Sequence, residues 1–167
     1  MSREILFKAK AINRDKGYHR SNYKNGDWVQ GLITRLYDDR FENLPAEMTD
    51  LNGISGIEID HNTLCQYTGL TDKNGNKIWE NDILMAHSNS KDLVKVCFGE
   101  FFVVDMESLE KIDRVIGWHY KVIQTDSLSK CEPFNTPMAL TSEYVKTCEF
   151  EVIGTIFENP ELIGGAE

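Results

Sequence analysis

The run from Gln66 to Leu84 constrains this chain more than any other part of it: Gln66-Tyr67-Thr68-Gly69-Leu70-Thr71-Asp72-Lys73-Asn74-Gly75-Asn76-Lys77-Ile78-Trp79-Glu80-Asn81-Asp82-Ile83-Leu84. It reads as a strand end, a polar turn and a new strand without a gap. Asp72-Lys73-Asn74-Gly75 is the turn, because Asn and Gly tolerate the positive φ that tight hairpins demand. Ile78-Trp79 restarts an extended segment, and Glu80-Asn81-Asp82 forms a second polar corner before Ile83-Leu84-Met85. A chain built around such corners is β-rich.

The rest of the sequence continues the pattern. Glu4 to Ile12 alternates as a strand, and Asn25-Gly26-Asp27 is a further turn before an extended Trp28 to Tyr37. Residues 38–55 form a long insert with Pro45 and Gly53, little periodicity, and room for a helical turn near Pro45-Ala46-Glu47-Met48. Gly56 to Asp60 and Thr63 to Tyr67 are short strands on either side of His61-Asn62. Leu93 to Phe98 and Phe101 to Met106 flank Gly99-Glu100, a two-residue connection that favours a tight hairpin. Arg114 to Thr125 is a further β run. Thr141-Ser142-Glu143-Tyr144 suits either a capped helical turn or an irregular connection. Glu149 to Phe157 closes the chain as a strand with apolar residues on both sides, stopped by Pro160. The expected fold is mainly β and antiparallel: one domain over residues 1–167, with long loop inserts and a small SH3-like barrel unit at about residues 77–106.

Three segments carry a resemblance to a known family. Arg3-Glu4-Ile5-Leu6-Phe7-Lys8-Ala9 looks like an opening strand of the YopX family of phage and prophage proteins. Gln66 to Ile83 resembles its central signature almost continuously. Val152-Ile153-Gly154-Thr155-Ile156-Phe157-Glu158-Asn159-Pro160-Glu161-Leu162 is similar to its closing strand and tail. One departure is Asn81, where the family pattern usually has Gly in a Glu-Gly-Asp corner; Asn is the next most tolerant residue for left-handed backbone angles. The resemblance implies a mainly-β fold and a phage or prophage origin, and it implies no catalytic residue.

Composition narrows the functions further. The net charge of −9 opposes phosphate-neutralising nucleic-acid binding, and the basic residues are scattered except for Lys8, Lys10, Arg14 and Lys16, which read as a solvated face. No apolar run approaches the roughly 18–20 residues that a membrane span needs. The N-terminal segment is too short and charged for a signal peptide, so the expected location is the cytoplasm of a bacterial host. Cys65, Cys97, Cys131 and Cys148 never form a Cys-x-x-Cys pair and read as buried free thiols. Asp72, Asn74 and Asn76 echo the start of a calcium loop but lack its closing glutamate, with the glycine misplaced. Gly53-x-x-Gly56 lacks the lysine of a phosphate loop. Trp28, Tyr37, Trp79, Phe101, Phe102, Trp118 and Tyr120 alternate on strands and are expected mostly in the core. The expectation is therefore no catalytic, cofactor or metal residue and no cofactor. The leading reading is a non-enzymatic accessory module that binds an unknown host or phage protein, without nucleic acid or membrane. It has a tendency to homo-oligomerise through the strands at Glu149 to Phe157 or Trp28 to Tyr37. The alternative is a hydrolase or nucleotide-processing enzyme that gathers His61, His87 or His119 with Asp82 from distant loops. His19 is the remaining histidine.

Overall fold

The turn at Asp72 forms where its residues predict it. A computed structural model of the chain describes residues 4–13, 22–36, 46–105 and 107–164, so Arg14, Lys16, His19, Tyr37 and residues 38–45 lie outside the described part. The chain divides into two compact units, Met1–Tyr67 and Thr68–Glu167, each with its own apolar core.

In the first unit, β1 (Phe7–Ala11), β2 (Trp28–Arg35), β3 (Ala46–Asp50) and β4 (Ile57–Thr71) pair antiparallel in succession. β1 also pairs with β4, which closes the strands into a ring. Ala9, Ala11, Val29, Ala46, Met48, Ile57 and Ile59 fill the interior; three alanines among seven residues suit so narrow a ring. Gly31 sits where β2 crosses closest to β3, and a Cβ there would meet the Thr49 carbonyl oxygen at 1.9 Å. Asp50, buried at the end of β3, accepts from the Ile54 and Asn52 amides and the Tyr23 hydroxyl. Burial works to raise its pKa, and those hydrogen bonds outweigh it and hold the carboxyl below the usual carboxylate range.

Two expectations are corrected here. The closed ring is made by β1 to β4, whereas residues 77–106, where a barrel-like unit was expected, supply strands of two different sheets. Closure depends on β1 meeting β4 across some fifty residues, a pairing that local turn signals do not encode. Within the 38–55 insert, Ala46–Asp50 is a strand and not a helical turn, with Ala46, Met48 and Asp50 facing inward. Its two-residue alternation is too short to stand out beside Pro45.

In the second unit, the end of β4 and β5 (Lys77–Trp79) flank the Asp72 turn. A second sheet follows in the order β10-β6-β7-β8-β9. Its strands are β6 (Asp82–Met85), β7 (Leu93–Val104), β8 (Lys111–Val122), β9 (Met138–Ala139) and β10 (Glu151–Thr155). The helix α1 (Ser142–Thr147) forms under a Thr141 cap, whose hydroxyl accepts from the Tyr144 amide. Gly99 is not a turn: β7 runs through it, φ 147°, with Gly99 opposite Gly117. The reversal comes at Asp105, whose carboxylate accepts from the Glu107 and Ser108 amides and the Ser108 hydroxyl. An aspartate able to close its own turn defeats a Gly-x pair that the extended backbone can absorb.

The unit has apolar clusters on both sides of β7. Val94 and Val96 pack with Ile78, Leu84, Tyr120, Val145 and Phe150. Leu93 packs with Ile83 and Ile123 on the other face. β10 serves both: Val152 joins the first cluster and Ile153 the second. Both apolar faces of the closing strand thus pack against a cluster within the unit, with Val152 and Ile153 half-buried. Gly154 in this strand lies under the Asn159 side chain, 2.1 Å from where a Cβ would stand.

Glycine substitutions separate these roles. Gly31→Ala should cost about 3 kcal/mol in urea unfolding, because backbone must move apart. Gly117→Ala, where a Cβ meets nothing within 4 Å, should change stability by no more than about 0.5 kcal/mol. Equal effects would contradict the close approach of β2 and β3.

Candidate interaction surface

β7 and β8 are each 12 residues long, but their neighbours in the sheet are short. β6 pairs with β7 only from Leu93 to Lys95, and β9 with β8 only at His119 and Tyr120. Beyond Phe98 and Trp118, which face each other, the hairpin continues as a two-stranded ribbon with no other strand paired to it among the described residues. The opposed Gly99 and Gly117 stand where this free part begins. With no side chain on either, the ribbon can twist away from the sheet there.

The register decides what the free ribbon presents. Directly opposed residues share a face, so Phe98, Glu100, Phe102, Arg114, Ile116 and Trp118 lie together. Phe98 is 52% exposed, Phe102 41% and Ile116 72%; neighbouring Ile112 is 65% exposed. Phe98 meets the half-buried Trp118 edge-on, with ring centroids 4.9 Å apart. The Lys111 ammonium stands 4.2 Å over the Phe102 ring. Arg114 pairs with Glu100 at 2.6 Å in the open, a contact of little energetic weight. The result is a band of aromatic and branched side chains bordered by charges, the composition of a contact surface.

The aromatic residues singled out by sequence thus divide. Trp79, Phe101 and Tyr120 are buried, and Trp28 is half-buried under the Lys8 and Lys10 ammonium groups at 4.9 and 5.2 Å. Lys8 is itself buried, so these two lysines are packed against an indole and are not a freely solvated face. Phe102 leaves the core altogether. Sequence reasoning missed Phe98, Ile112 and Ile116, because alternation marks faces without saying which face is covered.

The groups proposed for hydrolysis are placed for structure. Asp82 is fully buried and accepts from the Trp79 amide at 2.8 Å. His119 is buried, stacks on Phe101 at 4.7 Å, and shares a hydrogen bond between Nδ1 and the Gly117 carbonyl; its Nε2 has no protein partner. Burial holds its pKa below the usual imidazole value, the Gly117 bond opposes this, and Lys121 adds to the depression. His87 is exposed on a left-handed backbone, φ 51°. Neither it nor His119 makes a side-chain hydrogen bond to Asp82. A bulge in β4 leaves His61 exposed, while Cys65 is buried with its thiol toward the Thr63 carbonyl. Cys131 is exposed, against the expectation of four buried thiols, whereas Cys97 and Cys148 are half-buried.

The Asp72 turn is likewise structural. One carboxylate oxygen accepts from the Asn74 and Asn76 amides, both at 2.8 Å; the other accepts from the Asn76 side chain at 3.1 Å and the Val152 amide at 3.0 Å. Four donors occupy the oxygens that a cation would need. Among the described residues, no group of three or more His, Cys, Asp or Glu is placed to hold a metal ion, and no helix is long and apolar enough to cross a membrane.

These features define a mainly antiparallel β protein whose two units are joined in sequence through β4. The YopX protein family model matches residues 18–164, and the chain belongs to that family. The matched range begins after Arg3 to Ala9, so the opening-strand resemblance falls outside it. A search of curated proteins finds no match. The chain is similar to the crystal structure of protein EF1440 from Enterococcus faecalis, with 22% identity over 97% of this chain and 99% of that one, at a TM-score of 0.43.

Substitutions distinguish a contact surface from a core. Ile116→Lys should change the unfolding free energy by no more than about 0.5 kcal/mol, whereas Leu84→Ala should cost about 3 kcal/mol. A comparable loss from Ile116→Lys in chemical denaturation would assign the ribbon to the core instead.

Proposed function

We propose that this chain is a non-enzymatic accessory protein of a phage or prophage, and that it acts by binding a host or phage protein. The observation that carries the reading is the free half of the β7–β8 ribbon, with Phe98, Phe102 and Ile116 exposed on one face. Apolar side chains in that number raise the solubility cost of the free protein and are relieved by a partner. The open ribbon edges also offer unpaired backbone groups to an extended segment of that partner, which would join as an added strand. The same band accepts a second copy of this chain, so a homo-oligomer belongs to the same reading.

Affinity purification from lysogenic or infected host cells tests this proposal. The wild-type chain should recover a stoichiometric protein that the Phe98→Lys/Ile116→Lys double variant does not. Recovery of nothing above background under several growth conditions, or equal recovery by the variant, would overturn it. Light scattering on both proteins separates a second copy from a foreign partner, since only the former changes mass in the purified sample.

A further inference from the structure

The sheet brings together lysines that the sequence disperses. Lys95 on β7 stands directly opposite Lys121 on β8. Opposed residues of an antiparallel pair have Cβ atoms about 5 Å apart, and like charges there are destabilising. Lys130, from the loop after β8, joins them around one hollow of about 470 Å³, open to solvent and completed by Val122, Ile123, Gln124 and Ile163. Among the described residues, no carboxylate lines this hollow. None of the three ammonium groups has an ion-pair partner among the described residues. That is unusual in a chain where acidic residues outnumber basic ones, 27 to 18. Two acidic residues lie to the sides. Glu80 acts on the Cys97 thiol together with Lys95 and Lys121, and Glu132 shares a neighbouring hollow with Lys121.

Three unneutralised cations around one concavity concentrate positive potential far more than three scattered ones. The hollow is several times wider than a single tetrahedral oxyanion requires. Its rim is built from flexible lysine stems, which bind phosphate as point charges. We infer that Lys95, Lys121 and Lys130 form a binding site for a phosphate oligoanion, of the size of a di- or triphosphate group. A bound polyanion relieves the repulsion between Lys95 and Lys121. The site lies on the face of β7 that carries Leu93, opposite the one that carries Phe98, so it is independent of the ribbon contact.

The test is titration of the full chain with inorganic tripolyphosphate, followed by calorimetry and thermal unfolding. Binding should appear at micromolar to millimolar concentration and raise the melting temperature. Sodium chloride of equal ionic strength should not do so. Lys95→Gln and Lys121→Gln should each weaken binding about tenfold, the loss of one charge-assisted contact. Lys95→Gln should also raise the melting temperature of the ligand-free protein, because a like-charge pair is removed. The Phe98→Lys/Ile116→Lys variant should bind as wild type does. Absence of binding up to millimolar tripolyphosphate, or unchanged affinity in both lysine variants, would overturn the assignment.

Discussion

The Asp72 carboxylate is the contact on which the second unit depends. Its hydrogen bonds to Asn74 and Asn76 close the hairpin turn, and the bond to the Val152 amide reaches 80 residues along the chain to hold the closing strand. Backbone bonds support the same junction, with the Lys73 amide donating to the Phe150 carbonyl. Burial alone would raise the pKa of this carboxyl; the bonds from Val152, Asn76 and Asn74 outweigh it and keep the ionised form favoured. A neutral group of the same shape would accept these bonds more weakly.

The second corner extends that junction. Asn81 adopts φ 64°, the left-handed conformation that a glycine would occupy at no steric cost. There its amide donates to the Val96 carbonyl and its own carbonyl accepts from the Ile156 amide. Asp82 beside it fixes the Trp79 amide. Thus the central signature and the closing strand of the YopX pattern are two halves of one hydrogen-bonded joint. Gly154 completes it, since Asn159 packs where a side chain would stand.

What could be read from the sequence follows from the range of the interactions. The turn at Asp72 to Asn76 is legible because its donors and acceptors lie within four positions and Asn and Gly mark it. The helical turn at Thr141, by contrast, is one of two readings of its residues, and the Asp105 turn, equally local, is masked by the Gly99-Glu100 pair. The β3 strand, the closed ring and the passage of β7 through Gly99 depend on partners far along the chain, and local signals misplace them. The same limit applies to function. Phe98 and Ile116 look like core residues until the register sets them on the exposed face of a ribbon that no further strand among the described residues pairs with. Lys95 and Lys121 look scattered until the register sets them face to face.

The central claim is that an ionised Asp72 holds the joint between the signature hairpin and β10, and unfolding of wild type and Asp72→Asn as a function of pH tests it most directly. A carboxyl whose folded pKa is depressed contributes stability that is complete above its unfolded value and is lost as pH falls through the folded one. Asp50, Asp105 and Asp126 have lowered values too, so the difference between the two proteins is the quantity to follow. It should be about 3 kcal/mol at pH 7 and shrink as pH falls below about 4. A difference near zero at pH 7, or one that stays constant down to pH 3, would contradict the account.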